Sequence, residues 1–116
     1  MKGRYVIAHD VGTSSNKAVL IDVDGNILES ATVEYGFLNP NPGWVEQSPN
    51  DYWQAIVNST KKVMSHASIK TSEILGIVYT TQAMGIIPIG KDNTVLMNNI
   101  TWVDGRAEKQ ARKLMN

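Results

Sequence analysis

The chain has 116 residues, 42% of them apolar and 19% charged, which is the make-up of one folded domain and excludes a disordered segment. Eleven Lys and Arg balance eleven Asp and Glu, so bulk charge draws the chain neither to nucleic acid nor to an anionic membrane surface. Cysteine is absent, which excludes disulfides and thiolate metal sites, and no apolar run nears the roughly 18 residues that a membrane span requires.

Taken in order, Tyr5 to His9 is a short apolar run that predicts a buried strand. The apolar stretch Tyr5 to Ala8 is too short for a secretory signal, so a cytoplasmic protein with no membrane or nucleic-acid partner is expected. The sequons at Asn58 and Asn99 are accordingly read as coincidental. Lys17 to Val23 predicts a second strand, Asp24-Gly25 a tight turn, and Ile27 to Tyr35 a third strand, together an antiparallel meander.

Gly36 to Asn50 carries three prolines and predicts an irregular loop. Ser48, Pro49 and Asp51 then mark a capped helix start, and Trp53, Ile56, Val57, Thr60, Val63 and Met64 recur at helical spacing to about Ala67. Ile74 to Thr81 predicts another buried strand. Gly85 to Gly90 and Thr94 to Trp102 flank a turn at Lys91-Asp92-Asn93 and predict a hairpin, with Pro88 at an edge. Asp104 is expected to cap a helix from Gly105 onward. Three antiparallel strands, a helix and a central parallel strand make the ribonuclease-H-like plan of actin-like ATPases, an α/β fold with a mixed sheet, in one domain over residues 1–116.

The stretch between the first two strands, "HDVGTSSNK", is chemically distinctive. It reads blandly as a hairpin turn. It also supplies backbone N–H groups with the hydroxyls of Thr13, Ser14 and Ser15, donors that suit phosphate oxygens. Gly12 admits close approach of a ligand, and Lys17 adds a positive charge. Asp10 fits beside phosphates if a magnesium ion or its water shell lies between. The set describes a clamp for the phosphates of a magnesium-bound nucleotide. No Walker A loop and no Rossmann fingerprint occurs. His9 neighbours Asp10 on a strand and should face the opposite way; His66 is read as solvated.

Three ordered motifs then carry a resemblance. "DVGTSSNKAVLIDVDG", "PGWVEQSPNDYWQA" and "ITWVDGRAEKQ" resemble the first phosphate motif, the G-W-x-E-Q-x-P segment and the W-x-D-x-R-A motif of the FGGY carbohydrate kinases. The resemblance implies phosphorylation of a sugar hydroxyl by ATP with Mg2+. It implies nucleotide contacts at Asp10, Gly12, Thr13, Ser14, Ser15 and Lys17, with Asp10 reaching Mg2+ through water. It implies sugar contacts at Gln82, Ala83, Met84 and Gly85, where Met84 stands on the family's usual His. A thioether cannot replace imidazole at a sugar hydroxyl, and Ala83-Met84 in place of the Arg-Glu pair of glycerol kinases disfavours glycerol. Core packing is the alternative for Met84.

Trp102, Asp104 and Arg106 are the other expected sugar contacts, by ring stacking and hydroxyl orientation. The plainer alternative has Trp102 in the core, Asp104 as a helix cap and Arg106 solvated. Trp44, Glu46 and Gln47 are expected to pin the long loop. The family's catalytic base and adenine pocket lie further along, so the chain is expected to be a fragment without catalysis of its own. Xylulose and gluconate are the substrates in view, and a non-catalytic nucleotide-binding or assembly module is the rival reading. A homodimer is expected only through apolar surface left bare by a missing domain.

Overall fold

The computed structural model describes residues 4–115. They form two compact units. One holds the residues up to Tyr35 together with Asn50–Gln82, the other Gly36–Pro49 and the residues from Ala83 onward.

In the first unit, β1 (Tyr5–Val11), β2 (Ser15–Asp22) and β3 (Ile27–Glu34) form the expected meander. The β2–β3 turn closes because the Asp22 carboxylate accepts the N–H groups of Asp24 (3.0 Å) and Asn26 (2.8 Å), with Gly25 at a φ of 88°. Helix α1 (Pro49–Ala67) starts at Pro49, whose fixed φ suits a first helical position. A short 3-10 turn at Thr71–Glu73 leads into β5 (Ile74–Thr81), which lies parallel to β1 and gives the order β3-β2-β1-β5.

β1 runs two residues beyond the expected His9, since Asp10 pairs with Lys17 and Thr80 on its two neighbours and Val11 with Asn16 and Thr81. Alternation sends Ile7, His9 and Val11 to one face, where they are buried with Asn16, Ala18 and Leu20. α1 covers that face through Ala55, Ser59 and Val63. Ile7, Ala18, Leu20 and Val63 form the core cluster, and a fully buried Leu or Ile contributes about 1.5–3 kcal/mol. A cavity of about 300 Å³ lined by Ile7, Thr60, Met64, Thr71, Ile74 and Ile77 sits at the same face.

β5 corrects an expectation. Its apolar run predicts a buried strand, yet every residue after Ile74 is exposed. A continuous apolar run is the mark of a strand enclosed on both faces. Here β5 is an edge strand, and within this unit no helix among the described residues covers the face opposite α1.

In the second unit, the long loop is less irregular than its prolines suggest. Glu46–Gln47 (β4) pairs antiparallel with Asn99–Ile100 (β6), and Leu38 bridges to Glu46. The expected hairpin exists only as isolated bridges at Ile86–Ile100 and Ile89–Val95, with Pro88 O accepting from Leu96 N–H at 3.0 Å. The final helix, α2 (Glu108–Leu114), begins after Ala107 and has no side-chain cap. The expectation that Asp104 caps it is wrong, because the Asp104 carboxylate is engaged elsewhere. Asn116, the last residue of the expected helix, lies outside the described residues.

Candidate functional site: a donor turn and a buried clamp

The β1–β2 connection is three residues long, Gly12–Thr13–Ser14, closed by Gly12 N–H donating to Ser15 O at 2.9 Å. Ser15, expected in the loop, is the first residue of β2. A Cβ at Gly12 would lie 3.3 Å from Ser15 O, so the turn is tight where the chain has least bulk. Ser14 is exposed, and neither its N–H nor its hydroxyl makes a hydrogen bond among the described residues. Asp10 and Lys17 face each other across the strands, both exposed, and neither has a hydrogen-bonded or ion-paired side chain among the described residues.

The turn's carbonyl side is tied down. Tyr35, the residue after β3, donates its hydroxyl to Gly12 O at 2.5 Å, and the same hydroxyl lies 2.9 Å from Ser15 O. Its N–H donates to Ser14 O at 3.0 Å. Burial first, then Tyr52 and Asp10, push the Tyr35 phenol up to about 12, so it remains a donor at neutral pH. Gln82, an expected sugar contact, donates from Nε2 to Gly12 O at 3.3 Å and to the Tyr52 hydroxyl at 3.2 Å. Tyr35 was missed from the sequence. Its only signal is its place as the last residue of the predicted third strand, which in the structure ends one residue earlier at Glu34.

His9 faces away from Asp10, as alternation requires. Asn16 Nδ2 lies 3.0 Å from His9 Nδ1 and donates to Ser59 Oγ at 2.7 Å, while His9 Nε2 lies 3.2 Å from Thr60 Oγ1. The Asn16 donor fixes Nδ1 as the acceptor, so the neutral Nε2–H tautomer fits. The ring also stacks on Tyr79 at 5.2 Å. Burial lowers its pKa below 6.5, with the Asn16 contact opposing.

The second unit holds a clamp built from two motifs. Arg106 Nη2 donates to Glu46 Oε1 and to Asp104 Oδ2, each at 2.8 Å, and Nε donates to Asp104 Oδ1 at 2.8 Å. Asp104 Oδ1 also accepts Arg106 N–H (2.9 Å), and Oδ2 accepts Val45 N–H (2.6 Å). Asn98 donates to Glu46 Oε2 at 3.0 Å, and the guanidinium sits 3.9 Å over the Trp44 ring. With four bonds and 2% side-chain exposure, the Asp104 carboxylate has no acceptor left to offer outward. The guanidinium holds Asp104 down at about 2, and Arg106 followed by Asn98 lowers Glu46. Asp104 and Arg106, which the resemblance implies as sugar contacts, are here bonded to each other and, through Arg106, to Glu46. Trp44 and Glu46 pin the long loop, as expected.

Met84 and Trp102 are not core. Met84 is 81% exposed at a φ of 62°, and Trp102 is 50% exposed. Ala83 and Gly85 are also exposed, and a Cβ at Gly85 would lie 2.7 Å from Asn99 Oδ1. Among the described residues no group of three or more His, Asp or Glu side chains could hold a metal ion by themselves. A lone carboxylate beside phosphate donors still fits Mg2+, which binds through one or two carboxylates, waters and substrate phosphates.

A meander with a parallel fourth strand, covered by a helix on one face, makes this an α/β domain of the actin-like class. Comparison with known proteins places the chain more narrowly: residues 5–116 match the N-terminal domain of the FGGY family of carbohydrate kinases, and the chain belongs to that family. It is 34% identical to a glycerol kinase of Listeria welshimeri, matching 97% of this chain and 24% of that protein. It is 30% identical to the xylulose kinase of Bacillus subtilis, over 96% of this chain and 22% of that one. Among solved structures, the gluconate kinase of Lactobacillus acidophilus superposes with a TM-score of 0.88 at 28% identity, over 97% of this chain and 22% of its own. The chain spans about a quarter of the length of the curated relatives it matches. No helix of the described residues is long and apolar enough to cross a membrane.

Proposed function

We propose that this chain supplies the nucleotide-phosphate turn, and the segment meeting the acceptor, of an ATP-dependent kinase acting on a small sugar or sugar acid. The observation that carries this reading is the exposed turn at Ser14, with unengaged donors next to an unpaired Asp10 and Lys17. Donors beside a carboxylate and an ammonium are a set that suits a metal-bound phosphate.

In this reading Thr13, Ser14 and Ser15 would receive the ATP phosphates, which Gly12 lets approach closely, Lys17 would balance their charge, and Asp10 would hold Mg2+ through water. The metal supplies charge neutralisation of the transferring phosphoryl group. On the acceptor side the exposed Trp102 offers an apolar ring face, and exposed Met84 borders the acceptor without donating to a hydroxyl. Asp104 and Arg106 serve by holding the Trp102 segment in place. The catalytic base is assigned to residues outside this chain. The bare apolar β5 supports the idea that residues 1–116 work as part of a longer protein.

A ketopentose such as xylulose and a sugar acid such as gluconate remain the two substrates of choice, supported by the relatives of those names. The relatives also include glycerol kinases, against which stands the pair Ala83-Met84. The test is ADP release by a protein carrying this chain, measured against pentoses, polyols and sugar acids. Turnover dependent on one class of acceptor is expected, with residues 1–116 alone silent. Nucleotide binding without turnover on any acceptor would favour a non-catalytic module.

A further inference from the structure

A turn accepts an anion only when its own carbonyl oxygens face elsewhere, because each carries partial negative charge that repels phosphate. An ordinary three-residue connection needs no outside help to close, and the Gly12 N–H to Ser15 O bond already closes this one. Yet its carbonyls are held from outside. Gly12 O takes the Tyr35 hydroxyl and Gln82 Nε2, Ser14 O takes the Tyr35 N–H, and Ser15 O lies against the same Tyr35 hydroxyl. A single residue, Tyr35, thereby reaches all three oxygens.

Tyr35 is itself held in place. Its ring meets the Tyr52 ring edge-on at 5.0 Å and 73°, and Tyr52 lies in the first turn of α1. The Tyr52 hydroxyl accepts from Gln82, the residue just past β5. The end of β3, the start of α1 and the end of β5 thus converge on the carbonyl side of one turn.

We propose that Tyr35 is a positioning residue for phosphate binding: it holds the carbonyls of Gly12, Ser14 and Ser15 inward, so that these three oxygens do not face the ligand. This rests on the reading of the turn as a nucleotide-phosphate site and adds to it a residue outside the motif. Tyr35 touches no reacting atom.

The test compares wild type with Tyr35→Phe in a protein carrying this chain, assayed with MgATP and its acceptor. Phenylalanine keeps the ring against Tyr52 and removes only the hydroxyl. The KM for MgATP rises about tenfold, the weight of one hydrogen bond, while kcat and the acceptor KM stay within about twofold. An unchanged MgATP KM in Tyr35→Phe, or an equal rise in the acceptor KM, overturns the inference and leaves the kinase reading standing. Wild-type protein that binds no nucleotide overturns both. A second measurement needs no variant: with carbon and nitrogen labels, MgATP shifts the Ser14 amide resonance and leaves the Gly12 carbonyl still. A Gly12 carbonyl that moves as far as the Ser14 amide defeats the tether.

Discussion

The donor turn and the Glu46–Asp104–Arg106 clamp are built from similar residue types and behave oppositely. In the clamp every charged group faces another, so that its side chains answer one another's hydrogen bonds. At the turn, the side chains of Asp10, Ser14 and Lys17 have no hydrogen bond or ion pair among the described residues, while Tyr35 holds the carbonyls of Gly12 and Ser14 from behind. Charge alone does not distinguish a binding site from a structural brace. In the proposed reading, whether the charges are already satisfied does.

The comparison breaks most visibly at Arg106. Arg106→Met leaves two carboxylates buried beside each other with no cation, and loss of one partner from a buried ion pair costs about 3–5 kcal/mol. Urea denaturation followed by tryptophan fluorescence should register that loss. Next comes Asn16→Ala, which strips His9 Nδ1 and Ser59 Oγ of their shared donor at a cost of about 1–3 kcal/mol. Its denaturation midpoint should fall, with the clamp untouched.

How much of this was written in the chain depends on the range of the signal. The meander, α1 and the parallel β5 follow from local periodicity and turn chemistry, and the Asp24-Gly25 turn formed as its residues dictate. The donor turn was legible for the same reason: its Gly, Thr and Ser are contiguous. What escaped were the partners. Arg106 and Glu46 are 60 residues apart, and nothing near Asp104 shows that Val45 N–H and a guanidinium will claim it in place of a helix end or a ligand. Tyr35 is likewise 23 residues from Gly12. The burial of β5 was misread because an apolar run reports what a strand is made for and not what lies on it here.

Acid should separate the two regions. His9 is held neutral, its folded pKa below 6.5, so as pH falls the unfolded chain takes the proton first. Its contribution is whole above pH 6.5 and is lost as pH falls below that value toward the folded pKa. Asp104 titrates lower: its contribution is whole above about 3.8 and is lost as pH falls toward about 2. The first unit therefore begins to weaken at a higher pH than the clamp. Thermal midpoints of wild type and His9→Gln between pH 7.5 and 5 check this, and the variant should lose most of the slope below 6.5.

The smallest expected effect on stability is at Lys17, and it sharpens the contrast most. Lys17 is exposed on β2 with no ion pair among the described residues, so Lys17→Met should leave stability within about 0.5 kcal/mol. If the ammonium waits for phosphate, the same substitution weakens MgATP binding. It also flattens the dependence of that binding on ionic strength, because one exposed charge no longer takes part and salt has less to screen. Calorimetric titration of MgATP at two salt concentrations reads both. A variant that loses stability as Arg106→Met does, and binds MgATP with the wild-type salt dependence, would make Lys17 another brace. The distinction between satisfied and waiting charge would then have no footing at the turn.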